Sequence, residues 1–239
     1  MPIQVEDVLA TYGKRDDDGD RDFRVHAKVS VSGDDQVDMV RMSAVFKNGQ
    51  GLPVLTEEVE EDVDLEDGDS ETVEGYTYSN YNDLNDATAS VTVNAYEQRR
   101  TQVGSVTIKG TGQISGSADR VEICPGLTLT GWSVQIEKAD DDGDCKVNLI
   151  ATLQNDSARP VDKAVVRTRF LTRKDKEIIA LEEFQSIPAM QHKTIEDNTY
   201  ISANKAKKEM RVVVTIETYF LMGSETKDVG LEKDRKSQD

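Results

Sequence analysis

The chain has 239 residues, with 46 Asp and Glu against 29 Lys and Arg, so its formal net charge is −17 at pH 7. This charge excludes a general nucleic-acid-binding protein, because contacts with phosphates require an excess of Lys and Arg. A membrane-spanning protein is excluded as well, since no apolar run reaches about 18 residues. Two cysteines are too few for a disulfide scaffold or a Cys-rich zinc module.

The N-terminal segment MPIQVEDVLATYGKR lacks the basic start and the apolar stretch of a secretory signal. We therefore expect a cytoplasmic protein or a component of a particle that is assembled there. In a reducing compartment the two cysteines, Cys124 and Cys145, are expected to be buried free thiols.

The negative charge is concentrated in the first half of the chain. Residues 1–110 hold 10 basic and 24 acidic residues, whereas residues 111–239 hold 19 and 22. A high net charge keeps a protein soluble, and a strongly acidic face also attracts a basic partner or cations. Both explanations stay open at the level of sequence.

Apolar residues recur along the chain with a period of two. Val25, Ala27 and Val29 alternate with polar neighbours, and the segment 147–153 repeats this pattern. Such alternation places one face of a strand on a core and the other face in water. Short strands separated by Gly, Asp, Asn and Ser turns are typical of antiparallel β-sandwiches. The best helical candidate, around residues 204–210, is only one or two turns long.

The chain also repeats itself. KRDDDGD at 14–20 recurs as KADDDGD at 138–144, an offset of 124 residues that holds without a gap for about forty positions. Further on, TVEGYTY at 72–78 matches TIEDNTY at 194–200. Shared turns and shared alternation in the same order indicate a duplication. The sequence therefore predicts an all-β protein made of two tandem antiparallel immunoglobulin-like β-sandwiches related by internal duplication.

The repeated segments set the predicted boundaries of the two sandwiches, and composition describes what lies between and after them. Residues 1–103 form the first β-sandwich repeat and residues 128–227 the second. Residues 104–127 are rich in Gly and Ser but alternate like short strands, so we expect a structured connector that adds an edge strand. Residues 228–239 are predicted to be a polar tail that frays near its end.

One segment of the second repeat resembles a known module. This segment is residues 149–179, LIATLQNDSARPVDKAVVRTRFLTRKDKEII. Its first predicted strand ends at Asn155, and a polar loop with Pro160 follows. The second predicted strand contains Phe170 and ends in the charged turn Lys174-Asp175-Lys176. The segment resembles FxLYD-type and other fibronectin-III-like bacterial domains, but Thr172 and Arg173 stand where those domains have an aromatic-Asp pair. The resemblance implies an immunoglobulin-like sandwich that is used for interaction.

Asp residues cluster around Gly19 and again around Gly143. Calcium binds six to eight oxygens, and adjacent carboxylates on a tight turn supply several of them. Asp-Gly is also common in hairpin turns, because these turns need positive φ angles, and the spacing does not match a helix-loop-helix calcium site. A turn without metal is the favoured interpretation. The calcium alternative uses Asp16, Asp18, Asp20, Asp140, Asp142 and Asp144.

A second acidic run, EEVEEDVDLEDGDSE at 57–71, has no counterpart in the second repeat. Such a run is typical of a solvated loop or of an edge that opposes strand-to-strand association. The alternative is a docking surface for a basic protein partner.

Tyrosines cluster in GYTYSNY at 75–81. Tyr78 matches Tyr200 in the second repeat, which favours a packing role for it, whereas Tyr76 and Tyr81 have no counterparts and are predicted to bind a partner. Trp132 is expected in a core. His26 is expected on the outward face of a strand and His192 in a loop, neither next to a nucleophile; the two residues thus give no sign of catalysis.

The sequence contains no phosphate-cradling Gly loop, no Ser-centred elbow and no zinc-binding helix motif. We therefore expect a non-enzymatic protein-binding or assembly protein without a cofactor, which contacts a protein partner or forms a homo-oligomer or larger assembly. The alternative is a calcium-dependent surface or adhesion-type module, and an enzyme with a site between the repeats is the least favoured hypothesis.

Overall fold

A computed structural model describes residues 3–33, 36–81, 83–115 and 120–234. Over these residues the chain forms fourteen strands and one short helix, which confirms the predicted all-β class. The elements are β1 (Ile3–Arg15), β2 (Arg21–Val31), β3 (Val37–Lys47), β4 (Pro53–Leu65), β5 (Ser70–Ser79), β6 (Thr88–Lys109), β7 (Gly112–Ser115), β8 (Val121–Cys124), β9 (Leu127–Ala139), β10 (Asp144–Asn155), β11 (Val161–Leu171), β12 (Glu177–Ile187), β13 (Gln191–Ser202), α1 (Ala203–Ala206) and β14 (Glu209–Lys233).

The strands belong to two compact units. Unit 1 contains the described residues of Met1–Glu97 and Leu221–Asp239, and unit 2 contains those of Gln98–Phe220. This division differs from the boundaries predicted above, because the last part of the chain joins unit 1 and not the second repeat.

The reason is the length of β14, which continues to Lys233 and so includes half of the segment predicted to be a polar tail. Its residue Leu231 pairs in parallel with Ala10 of β1, and the backbone N–H of Asp234 donates to the carbonyl of Tyr12 at 2.9 Å. Residues 228–234 are therefore held by backbone hydrogen bonds; residues 235–239 lie outside the described residues.

In unit 1 the strand order is β4-β3-β6-β14-β1-β2-β5, so β4 and β5 are the two ends of the order. Inward-facing residues of β2 and β3 meet in one apolar core, where the rings of Phe23 and Phe46 pack edge to face with centroids 5.4 Å apart. Gly75 of β5 is part of this close packing, because a Cβ at that position would lie 2.7 Å from Cγ2 of Val59.

In unit 2, β11 pairs with β12 and β14, while β9 pairs with β10, β7 and β8, and β10 pairs with β13. The pairing of β7 and β8 with β9 places the described part of the predicted connector inside this unit. The core contains Trp132, as predicted, and also both cysteines, which are free and buried. Burial raises the pKa of the Cys124 thiol, so this thiol stays protonated at neutral pH.

Two strands of unit 1 have the same lengths as two strands of unit 2, at the same separation along the chain. β1 and β9 have 13 residues each and begin 124 positions apart, at Ile3 and Leu127. β3 and β11 have 11 residues each and begin at Val37 and Val161, again 124 positions apart. The helical candidate near residue 204 is the single turn α1, and it has no counterpart in the described part of unit 1.

Candidate functional site

Two tyrosines project from one face of β5 in unit 1. Val73 and Gly75 of this strand are buried, and side chains alternate between the two faces of a strand, so the even-numbered residues Glu74, Tyr76 and Tyr78 face outward. The side chains of Tyr76 and Tyr78 are 67% and 61% exposed, and their rings pack edge to face with centroids 6.1 Å apart. Large exposed aromatic side chains are enriched where proteins bind one another.

The tyrosines line a groove with a volume of about 640 Å³ on the outer face of β1, β2 and β5. The antiparallel register places Tyr76 opposite Arg24 and Tyr78 opposite Asp22. Directly opposite residues in a sheet are close neighbours. The row of tyrosines on β5 therefore lies beside a charged row on β2, which contains Asp22 and Arg24. The polar side chains that line the groove are Thr11, Asp22, Arg24, His26, Glu74 and Asp234.

Carboxylates outnumber cations in this charged row. The Nε of Arg24 donates to Asp22 at 2.8 Å, and a second guanidinium nitrogen lies 3.9 Å from Asp234. Glu74 lies opposite His26 in the register. The groove thus combines an apolar wall with acidic groups around one arginine, and this chemistry suits a peptide segment with basic and aromatic side chains.

The predictions for the tyrosines had different outcomes. Tyr76 lies in the groove. The packing role for Tyr78 was wrong, since Tyr78 has the same strand parity as Tyr76 and faces outward; the alternation of β5 is the signal that indicates this. The matching Tyr200 of unit 2 is also exposed, at 54%. Tyr81 follows the end of β5, is half-buried and does not line the groove; the partner-binding roles of Tyr76 and Tyr81 both stay predictions.

His26 lies half-buried on the outward side of β2, as predicted. The loop position of His192 was wrong: this residue is in β13 and is exposed.

The two Asp-rich segments form the same turn. Oδ1 of Asp16 accepts hydrogen bonds from the backbone N–H groups of Asp18 at 3.1 Å and Asp20 at 2.9 Å. Oδ1 of Asp140 accepts from Asp142 and Asp144 at the same two distances. The first Asp of each segment therefore acts as an acceptor that closes the turn. Throughout the described ranges, no three His, Cys, Asp or Glu side chains are grouped so as to hold a metal ion; the calcium alternative stays a prediction.

The acidic run is an edge strand and the turn that follows it. β4 pairs only with β3 in the described residues and lies at one end of the strand order of unit 1. One face of β4 carries the carboxylates of Glu58, Glu60, Asp62 and Asp64. Glu60 receives a hydrogen bond from Arg41 at 2.8 Å. Like charges along an edge oppose pairing with another strand.

Charge is divided unequally between the units. Unit 1 has 11 Lys and Arg against 29 Asp and Glu, a net charge of −18, whereas unit 2 has 18 against 17, a net charge of +1. The acidity of the chain is thus a property of the unit that carries the tyrosine groove. Among the described residues no helix has the length and apolarity that a membrane crossing requires.

Comparisons with known proteins give no family. No protein-family model and no curated protein matches the chain. Among solved structures, it is similar to a conserved hypothetical protein from Bacillus anthracis, with 12% identity and a TM-score of 0.29 over 43% of this chain and 91% of that chain. It is also similar to a beta-glucuronidase from glycoside hydrolase family 2, with 11% identity and a TM-score of 0.30 over 94% of this chain and 26% of that chain.

A third similar structure is pT26-6p, with 6% identity and a TM-score of 0.24 over 95% of this chain and 66% of that chain. TM-scores this low assign neither a family nor a function to the chain.

Proposed function

We propose that the chain is a non-enzymatic protein-binding or assembly protein, built from two immunoglobulin-like β-sandwiches related by internal duplication, and that it binds a protein partner through the tyrosine groove of unit 1. The observation that carries the proposal is the pair of exposed, mutually packed tyrosines, Tyr76 and Tyr78, on a strand at the end of the sheet order.

The duplication is supported by the strand spacing. Two pairs of strands keep equal lengths at a separation of 124 residues, and the turns that begin at Asp16 and Asp140 have the same hydrogen bonds. Resemblance of residues 149–179 to FxLYD-type domains, which are used for interaction, favours the immunoglobulin-like assignment. Unit 2 is the second copy in this proposal, and its surface charge differs from that of unit 1. We therefore expect unit 2 to bind a different partner or none.

Partner binding is supported by two properties of β5. In the described residues β5 pairs only with β2, so its other edge offers backbone N–H and C=O groups to an added strand. Tyr76 and Tyr78 lie on the same strand, where their rings cover apolar side chains of an incoming segment at a low cost in side-chain entropy.

The charge of unit 1 supports a basic partner. A net charge of −18, together with Asp22, Glu74 and Asp234 in the groove, favours a basic segment. Opposite charges raise the association rate, and this contribution decreases as the salt concentration rises. A copy of this acidic unit is repelled by the same charge, so we expect a different, basic protein.

The test is capture from the native source with three proteins: wild type, a Tyr76→Ala/Tyr78→Ala variant, and a Tyr200→Ala control. Tyr200 is exposed to a similar extent at the matching position of unit 2. A specific partner is retained by wild type and control and is depleted about tenfold or more by the double variant. Recovery of every associated protein equally by all three would refute the groove, and purification of the chain without associates would refute the binding function.

Cross-linking gives a second readout that does not depend on loss of affinity. A photoreactive side chain at position 76 is expected to attach covalently to the partner, whereas the same group at position 200 is not. Because both positions are exposed, neither substitution disturbs the core.

A further inference from the structure

Unit 2 contains a cavity of about 640 Å³ that the protein-binding function does not use. The cavity is open to solvent and its four lysines are exposed; it is lined by three segments, which are the end of β6, the turn between β11 and β12, and the region of α1. Its basic lining residues are Lys109, Arg173, Lys176, Lys205 and Lys208, and its acidic ones are Glu177 and Glu209. Such a concentration of positive charge is unusual in a chain with a net charge of −17.

Within the described residues, Arg173 is the one cation of these five that forms an ion pair. Arg173 binds the carboxylate of Glu209 in a bidentate manner, at 3.1 and 2.7 Å, and this hydrogen bonding holds the pKa of Glu209 below its usual value. The four lysines form no ion pair with any carboxylate of the described residues. Ammonium groups around one cavity repel each other, and a bound anion relieves that repulsion.

The backbone that holds these lysines is fixed by hydrogen bonds. Gly110 N–H donates to the carbonyl of Ala206 at 3.0 Å, which ties the end of β6 to α1. Ala206 is itself buried. In the turn, Thr172 N–H donates to Lys176 at 2.8 Å, and the Thr172 hydroxyl accepts from Lys174 and Lys176. The cavity is thus present before a ligand binds, so the ligand does not have to organise the backbone.

We propose that this cavity binds a small molecule that carries several phosphate groups. Its volume is that of a typical site for a small ligand, and Lys is a common phosphate-binding residue that acts as a mobile point charge. Four ammonium groups that form no ion pair with a described carboxylate match a ligand with several negative charges and not a single carboxylate. Ile178 and the lysine stems supply an apolar wall. A long nucleic acid is disfavoured, since its further phosphates meet a chain of strongly negative net charge.

The test uses inorganic tripolyphosphate as the probe and calorimetric titration of the full chain at low salt. Wild type is compared with Lys205→Glu/Lys208→Glu and with a control, Lys138→Glu/Lys193→Glu, which changes the net charge equally at exposed lysines outside the cavity. We expect a submillimolar Kd for wild type, a loss of about thirtyfold or more for the cavity variant, and a change of less than about threefold for the control. Orthophosphate is expected to bind more weakly than tripolyphosphate.

Equal losses in the two double variants would overturn the proposal, because they would indicate a general effect of charge; so would the absence of binding at millimolar probe. Acylation with an amine-reactive reagent is a second readout on the unmodified chain. Tripolyphosphate is expected to protect Lys176, Lys205 and Lys208 but not Lys138, and equal protection of all four would refute the site.

This site is independent of the tyrosine groove. The Tyr76→Ala/Tyr78→Ala variant is expected to bind tripolyphosphate with the affinity of wild type, so the two proposals can fail separately.

Discussion

Units 1 and 2 have corresponding strands and turns but different surfaces. β1 matches β9 and β3 matches β11 in length and spacing, whereas the net charges are −18 and +1. The edge strands show the contrast most clearly: β4 has a face of four carboxylates, while β12 has a Phe184 side chain that is 63% exposed. Core and turn positions are constrained by burial and backbone geometry, whereas solvent-facing positions are not.

The comparison extends to a single position. Val31 in unit 1 is tied to the turn after β4 by its backbone, which donates to Asp69 and accepts from Gly68, both at 3.0 Å. At the matching position of unit 2, the side chain of Asn155 donates to the carbonyls of Ile187, the last residue of β12, and Pro188, the first residue after it, at 3.2 and 3.3 Å. The same connection between two parts of the sandwich is thus made by the backbone in one unit and by a buried side chain in the other.

The largest expected effect comes from the matched core residues Phe46 and Phe170. Substitution of either by Ala removes a buried ring and is expected to cost about 3–5 kcal/mol of unfolding free energy. Trp132, the one tryptophan, lies in unit 2 and reports its unfolding by fluorescence. Urea titrations give the urea concentration at which half of the signal is lost. For Phe170→Ala we expect a strong decrease of this midpoint when unfolding is followed by tryptophan fluorescence. For Phe46→Ala we expect a larger decrease when unfolding is followed by circular dichroism than when it is followed by fluorescence. Equal fluorescence shifts in the two variants would show that the units unfold together.

A smaller effect is expected for Asn155→Ala. Asn155 is fully buried, and its side chain also donates to Arg159 at 2.8 Å and accepts from Ser157. Loss of these bonds leaves buried polar groups without partners, at a cost of about 2–3 kcal/mol. Val31→Ala is the matched control; it leaves both backbone hydrogen bonds in place and is expected to cost less. A loss below about 0.5 kcal/mol for Asn155→Ala, measured by urea unfolding of unit 2, would contradict this role.

The smallest effect is expected at the two Asp-rich turns. Asp16→Asn and Asp140→Asn keep the Oδ1 acceptor and lose the charge, so stability is expected to change by less than about 0.5 kcal/mol. The corresponding Ala variants lose the acceptor and are expected to cost about 1 kcal/mol each. Thermal unfolding is measured with millimolar calcium and again with chelator, and we expect the same unfolding temperature in both. A calcium-dependent rise in the wild type that the Asn variants abolish would instead establish the calcium-dependent alternative.

Local patterns predicted much of the fold. Alternation predicted strands such as β2 and β10, and the burial of Trp132 was predicted from its match to Val8 in the first repeat. The exposure of Tyr78 was missed because the match to Tyr200 was taken as a sign of packing, although the parity of β5 indicates the opposite. In the candidate site, sequence reasoning found Tyr76 but not Arg24 or Asp22, because a side chain on another strand becomes a neighbour only through the register of the sheet.

The sequence by itself determined the β class, the two Asp-Gly turns and the excess of negative charge, because each of these depends on residues close together in the chain. Tertiary structure alone decided that residues 221–234 belong with the N-terminal strands, that four lysines from three segments line one cavity, and that Tyr76 lies opposite Arg24. These features come from pairing and packing between distant segments, whose energies depend on the whole set of contacts in each unit and leave no periodic signal in the chain.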